Sequence, residues 1–311
     1  MVPAAHSATL LFKTNFGPDV SLGAPYSFSA NGAWQDFTGT DAETGFGFPF
    51  NFFDAEFSGI QLITVDTITP TTIGDYITTD IRPVLGPFGT PAHELYQSVK
   101  IKSPVGMGGS QAPFLLQRGW DKGDVTDLYF SYWFKHQANL NTQLDKTVTT
   151  GNWRVQFEFK TGGYLNSWPG DYRILTYVMI NNSGKLYWLS KGDNGANGPW
   201  DLEDYWQEVN QDVPVPVDEW FFFEVCWHHS AGSDGRYWAA VNGQVIADHH
   251  GPNMGKYNLP ITRIMFINPY SGGHAPVDSH LTGLSIWSGF PCGEGVSCYQ
   301  SLSTPSHMKI K

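Results

Sequence analysis

Charged side chains make up only 15% of the 311 residues, and basic ones are the scarcer: 18 Lys and Arg against 29 Asp and Glu give a formal net charge of −11. Proteins that grip nucleic acid or an anionic membrane reward a basic surface, so neither partner is expected. A local basic pocket stays compatible with that balance. No apolar run reaches the roughly 18 residues of a membrane-spanning helix. Glycine patterns of the P-loop or Rossmann type are missing, and neither Ser131 nor Ser230 sits in a nucleophile elbow. The N-terminal MVPAAHSATLLF lacks the charged region and long apolar stretch of a signal peptide, so a mature or trimmed secreted chain is expected. Cysteine is sparse, with three residues and no CxxC pair, which removes the usual zinc spacings. Cys292 and Cys298 bracket a short loop, PCGEGVSC, that suits a local disulfide, leaving Cys226 inside a strand.

Aromatic residues and glycine are plentiful: 12 Trp, 14 Tyr, 21 Phe and 34 Gly. Aromatics fit a pleated, half-buried surface and glycine supplies turns, so strands are favoured over helices. Residues 1–120 read as short strands joined by long loops. From about 125 the strand-like runs are LYFSYWFKH (128–136), NWRVQFEFK (152–160), DYRILTYVMI (171–180), KLYWLS (185–190), EWFFFEVCWHH (219–229), RYWAAVNGQVIADH (236–249), TRIMFIN (262–268) and LTGLSIWS (281–288). Turn sequences such as NNSG and GSDG separate them, and Asn242-Gly243 marks a hairpin because both residues tolerate positive φ. DLEDYWQEV (201–209) reads as a single helix capped by Asp201. Many short antiparallel strands without βα alternation predict an all-β, two-sheet antiparallel sandwich or jelly roll, taken as one domain over 1–311 with the loop-rich residues 1–120 packed onto it.

Strict alternation in NWRVQFEFK puts Trp153, Val155, Phe157 and Phe159 on one face and Arg154, Gln156, Glu158 and Lys160 on the other. The same rule turns Phe221, Phe223, Val225 and Trp227 inward, leaving Trp220, Glu224 and His228 outside. Arg173 and Tyr177 fall outside on the strand at 171–180, and Trp133 on the strand at 128–136. Were these strands neighbours, one face would gather planar polar groups between aromatic rings. Rings stack on sugar faces while polar side chains fix hydroxyls, so a polysaccharide or oligosaccharide is the expected partner. The doublets His228-His229 and His249-His250 cannot chelate one ion, because adjacent strand residues point to opposite faces. No metal ligand is assigned, and nothing signals an oligomeric state.

The succession EFKTGG, GDYRI, PVPVDEWFFFEVCWHHSAGSDGRYWAAVNGQVI, ITRIMFIN and LSIWSGFP, over about residues 125–291, resembles the concanavalin-type jelly-roll polysaccharide lyases of the heparin lyase and glucuronan lyase kind. The resemblance implies β-elimination on a uronic-acid polymer, with Tyr177 and His228 as base and acid. Arg154, Gln156 or Arg173 would bind the carboxylate, with Lys160, Trp133 and Trp220 completing the substrate surface. No cofactor is required for that chemistry. The family often carries a structural calcium on paired Asp residues before the last strand. Here Leu281-Thr282-Gly283-Leu284 stands in that place with Asp278 nearby, one carboxylate against the six to eight oxygens that calcium takes. A glycoside hydrolase is the alternative enzyme, using Glu158 and Glu224, although no ExDxxE signature is present. A noncatalytic lectin is the reading from another class.

Overall fold

Alternating burial along the chain builds two antiparallel sheets. The computed structural model describes residues 8–49, 57–64, 66–100, 111–117, 125–147, 151–162, 170–193, 204–255, 258–266, 271–274 and 276–303. Its strands, in chain order, are β1 (Leu10–Thr14), β2 (Val20–Leu22), β3 (Tyr26–Ser29), β4 (Gly32–Gly39), β5 (Phe57–Ile63), β6 (Ile77–Leu85), β7 (Pro91–Val99), β8 (Phe114–Gln117), β9 (Asp127–His136), β10 (Trp153–Gly162), β11 (Gly170–Ile180), β12 (Leu186–Asp193), β13 (Asp204–Asn210), β14 (Trp220–His228), β15 (Arg236–Val241), β16 (Gln244–His250), β17 (Ile261–Phe266) and β18 (Val277–Trp287). An eight-stranded sheet runs β16-β15-β14-β9-β18-β7-β6, with β1 also on β18. A ten-stranded sheet runs β13-β12-β11-β10-β17-β8-β5-β4-β2, with β3 on β4. The chain is thus an antiparallel β-sandwich of the jelly-roll type, and strands from its first 120 residues lie in both sheets.

The inner faces meet through aromatic rings, as the alternation predicts for β9, β11 and β14. Phe130 lies 5.3 Å from Phe157 and 5.4 Å from Phe266, and Phe159 lies 4.7 Å from Trp227. Such offset and tilted pairs add to the area term that dominates core stability. At the β15–β16 turn, Asn242 and Gly243 hold φ of 49° and 79°, the positive pair that a tight hairpin needs.

Two expectations are corrected. The segment expected as a helix at 201–209 holds β13, which pairs along the free edge of β12. The ladder outweighs local helix propensity there, and the strand also packs half-buried Trp206 against the core, its indole N–H donating to the Tyr172 hydroxyl at 2.7 Å. The second correction lies in β10. Arg154 pairs with Val178 and Val155 with Tyr177, yet Phe157 pairs with Thr176, so Gln156 is an extra, bulged residue. One inserted residue exchanges the faces of everything before it. Trp153 and Val155, expected inward, share the outer face with Tyr177, while Arg154 and Gln156, expected outward, enter the space between the sheets.

Arg154 is 1% exposed, and its guanidinium donates to the Asp278 carbonyl (2.6 Å), Ser279 Oγ (2.7 Å) and Gln137 Oε1 (3.2 Å). Burial pushes its pKa down to about 9, against the opposing charge of Asp278, which leaves it a cation at neutral pH. Gln156 reaches the hydroxyl of Tyr132, a core residue of the facing sheet, at 3.4 Å. Arg154 therefore ties the sheets together. Its replacement by Ala leaves a cavity and strips three acceptors of their donor, a loss of about 2–4 kcal/mol in unfolding free energy. Arg154→Met, which refills the volume, recovers part of it. Urea denaturation of the two variants measures both; an unchanged midpoint for the Ala variant contradicts the interior placement.

Candidate active site

Beyond the bulge, β10 presents Glu158 and Lys160 on the outer face of the ten-stranded sheet, and the strand register extends them into transverse rows. Lys160 stands between Arg173 of β11 and Arg263 of β17. Arg173 is followed by Asp193 of β12, and Arg263 by Gln117 of β8. The next row places Glu158 between Leu175 and Met265, with Lys191 and then Gln207 beyond Leu175. A third row carries Val155, Tyr177 and Leu189.

Ion pairing knits the first two rows. Lys160 Nζ is 3.1 Å from Glu158 Oε1, and Arg173 Nη1 is 3.8 Å from the same oxygen. Arg173 also grips Asp193 through both carboxylate oxygens, Nε to Oδ1 at 2.5 Å and Nη2 to Oδ2 at 3.1 Å. Lys191 Nζ reaches Asp193 Oδ2 at 3.1 Å, and Arg263 donates to Gln117 Oε1. These rows bring Lys160, Arg173, Lys191 and Arg263 together with Glu158 and Asp193, and the register continues to Asp204 beside Asp193 and, beyond Met265, Leu115 and Gly59, to Asp36. The ion-paired groups are shielded, with side chains 0–16% exposed, so their fields are screened far less than on an open surface. Burial pushes the Lys160 pKa down to about 8; Glu158 opposes the shift, while Arg263 and Arg173 reinforce it. Burial works to raise the pKa of Asp193, but Arg173 and Lys191 outweigh it and hold the carboxyl below its ordinary value. A lysine with that pKa between two guanidinium groups can bind an anion and exchange a proton near neutral pH.

The structure divides the expected site among three places. Glu158, Lys160, Arg173 and Tyr177 share the outer face of the ten-stranded sheet. Tyr177 stands four residues from Arg173 along β11, about 13 Å at the rise of a strand, with its ring 6.0 Å from Trp153. Arg154 and Gln156 lie inside the sandwich. Glu224, His228, Trp133 and Trp220 belong to the outer face of the eight-stranded sheet, because Glu224 and Trp133 sit on β14 and β9 opposite the core-facing set.

The carboxylates Glu158 and Glu224 therefore have both sheets between them, and sheets pack about 10 Å apart, beyond the separations of about 5–9.5 Å that glycosidase pairs use. Glu224 is fully buried instead beneath the C-terminal segment: it accepts from Tyr129 Oη (2.5 Å), from the Cys298 backbone N–H (2.7 Å) and from Ser297 Oγ. Burial raises its pKa, with those three donors opposing. His228 places Nδ1 2.7 Å from Asp127 and Nε2 3.7 Å from Asp234; burial works against its charged form, but the two carboxylates raise its pKa overall. Trp220 donates to the Leu85 carbonyl at 3.1 Å. The loop KGDNGANG contributes Lys191 and Asp193 from the end of β12, and its residues from 194 onward lie outside the described set.

Lys191, Asp193, Arg263 and Gln117 were absent from the residues expected at the site. Arg263 carried a legible signal, a lone cation alternating with Ile and Met in ITRIMF. Lys191 and Asp193 were hidden by a turn-like composition that is strand here.

No family model matches the chain, and no curated protein matches it. Among solved structures it is similar to the endo-β-1,4-glucuronan lyase from the fungus Trichoderma reesei, at 10% identity and a TM-score of 0.46 over 68% of this chain and 90% of that one. It is similar also to the alginate lyase Aly36B, at 13% identity and 0.43 over 62% of this chain and 80% of that one. The PL-14 alginate lyase from Aplysia kurodai gives 10% identity and 0.41 over 68% and 87%. All three are lyases of polysaccharides.

Proposed function

We propose that the protein cleaves a uronic-acid polysaccharide by β-elimination on the outer face of its ten-stranded sheet. The observation that carries this reading is the placement of Arg173, Lys160 and Arg263 side by side across three neighbouring strands, three cations in one row on a chain of net charge −11. β-Elimination needs a positive environment for the uronate carboxylate, whose charge grows as the C5 proton leaves, and a base for that proton. Arg173 and Arg263 flank Lys160 and suit the first need. Lys160 suits the second. Its neutral amine takes the C5 proton, the freed electron pair forms the C4–C5 double bond, and the bond from C4 to the bridging oxygen breaks. The resulting ammonium returns the proton to that leaving oxygen. Tyr177 and Trp153, some 13 Å along the face, fit stacking against a neighbouring sugar rather than proton transfer. The Cys292–Cys298 disulfide supports an extracellular setting.

The deciding experiment offers alginate, glucuronan and a glycosaminoglycan and follows the ultraviolet absorbance of the unsaturated uronate. Absorbance that grows with time is the expected result; new reducing ends without it mark a hydrolase, and binding with neither marks a lectin. Lys160→Met lowers kcat by about 10²–10⁴-fold, the usual worth of a positioned acid–base group, while the fold, read by circular dichroism, is kept.

The pH profile gives a separate check. A base works unprotonated, so kcat/KM climbs as pH rises towards about 8 and levels off above it. A profile falling over that range contradicts Lys160 as the base.

A further inference from the structure

The outer face of the eight-stranded sheet holds a cleft of about 590 Å³, within the roughly 300–1,000 Å³ common for ligand pockets. We propose that this cleft binds a neutral glycan chain at a site separate from the cationic face, an inference that does not rest on the lyase reading. Its floor is aromatic and hydroxylated. Trp133 of β9 and Phe222 of β14 lie 5.2 Å apart, and Ser131, Thr282, Ser285 and Trp287 continue the floor along β9 and β18. Phe88, in the β6–β7 turn, is 51% exposed and meets the Trp133 ring edge-on at 5.1 Å. Gly283 passes directly beneath that indole with φ of +63°, and a Cβ there would lie 3.3 Å from Trp133 Cδ1. A larger residue would disturb the platform.

The opposite wall is built, not incidental. Pro291, Cys292, Cys298 and Ser301 form it, the disulfide closes it, and buried Glu224 pins it through Ser297 and the Cys298 N–H. Tyr299 then packs within about 6 Å of both Trp133 and Phe222. Glu224 and Trp133, expected on sequence grounds to act in catalysis and substrate binding, thus meet in this second place.

Charge selects the ligand. Lys13 and Glu43 are the charged side chains of opposite sign at the described rim, and Glu43 is bonded by Asn15 at 2.8 Å, so the cleft offers an anionic chain no net attraction. Aromatic faces beside hydroxyls suit the C–H faces and hydroxyls of uncharged pyranoses. The cationic face of the other sheet would select the opposite class.

The test is calorimetric titration of the full chain with xylohexaose, cellohexaose and mannohexaose, and with an oligouronate. At least one neutral hexaose binds the unaltered protein; Phe88→Ala, a substitution at an exposed turn residue, weakens it several-fold, and Trp133→Ala weakens it roughly tenfold or more. Reducing the Cys292–Cys298 disulfide also weakens it. Lys160→Met leaves neutral-glycan binding unchanged, so failure of this site and failure of the lyase reading are told apart. The proposal is overturned if no neutral hexaose binds at millimolar concentration, or if binding survives both aromatic substitutions. It is overturned equally if Phe88→Ala abolishes only a concentration-dependent self-association, which would make the occupant a second copy of this chain.

Discussion

The bulge at Gln156 decides which half of β10 belongs to the interior and which half to the cation cluster. Before it, Arg154 points between the sheets and ties β10 to the start of β18 and the residue after β9. After it, Phe157 and Phe159 take over the core while Glu158 and Lys160 face outward. A strand without the extra residue would have to turn Trp153 and Val155 between the sheets in place of Arg154, or turn Phe157 and Phe159 out of the aromatic core. Neither arrangement preserves both the interior tie and the outer cluster, so a single inserted residue lets one strand serve two purposes.

The cluster owes its chemistry to shielding. Two unit charges about 4 Å apart interact by only about 1 kcal/mol in water and by about 4 kcal/mol at the effective dielectric near a protein surface. Lys160 and Arg173 each lie within that range of Glu158, and all three have little exposure. Burial is the main reason that Lys160 loses part of its proton affinity, the two flanking guanidinium groups add to the loss, and Glu158 limits it without cancelling it. Arg173 is held by Asp193 in a two-point grip, which fixes its plane and keeps it from collapsing onto Glu158. The carboxylates thus set the positions of the cations.

Much of this was legible in the sequence. The aromatic and glycine content, the Asn242-Gly243 hairpin and the inward sets of β9, β11 and β14 follow from period-two alternation, and the sandwich bears them out. Glu158, Lys160 and Arg173 were legible as neighbours for the same reason. Which sheet each strand joins was not legible, since alternation assigns a face but not a partner. FFFEVCWHH and NWRVQFEFK carry similar patterns, yet β14 pairs with β9 and β15 while β10 pairs with β11 and β17. That is why Glu224 and His228 were grouped with Glu158 and lie on the far side of the core. The bulge was hidden because Gln156 reads as one more polar residue in an unbroken alternation.

The two outer faces carry different chemistry because the core constrains neither. Each strand gives every second residue to the interior, and the remaining residues answer only to their cross-strand neighbours and to what lies over them. On β10, β11, β12 and β17 those neighbours are ions that position one another. On β9, β14 and β18 they are rings and hydroxyls closed in by a disulfide-bound wall and the buried carboxylate of Glu224. An anion at the first face meets Arg173, Lys160 and Arg263 side by side, whereas at the second it meets a rim of balanced charge and must surrender hydration for stacking alone. The same polymer cannot suit both faces equally well, so the sandwich separates charge recognition from ring recognition by the thickness of its own core.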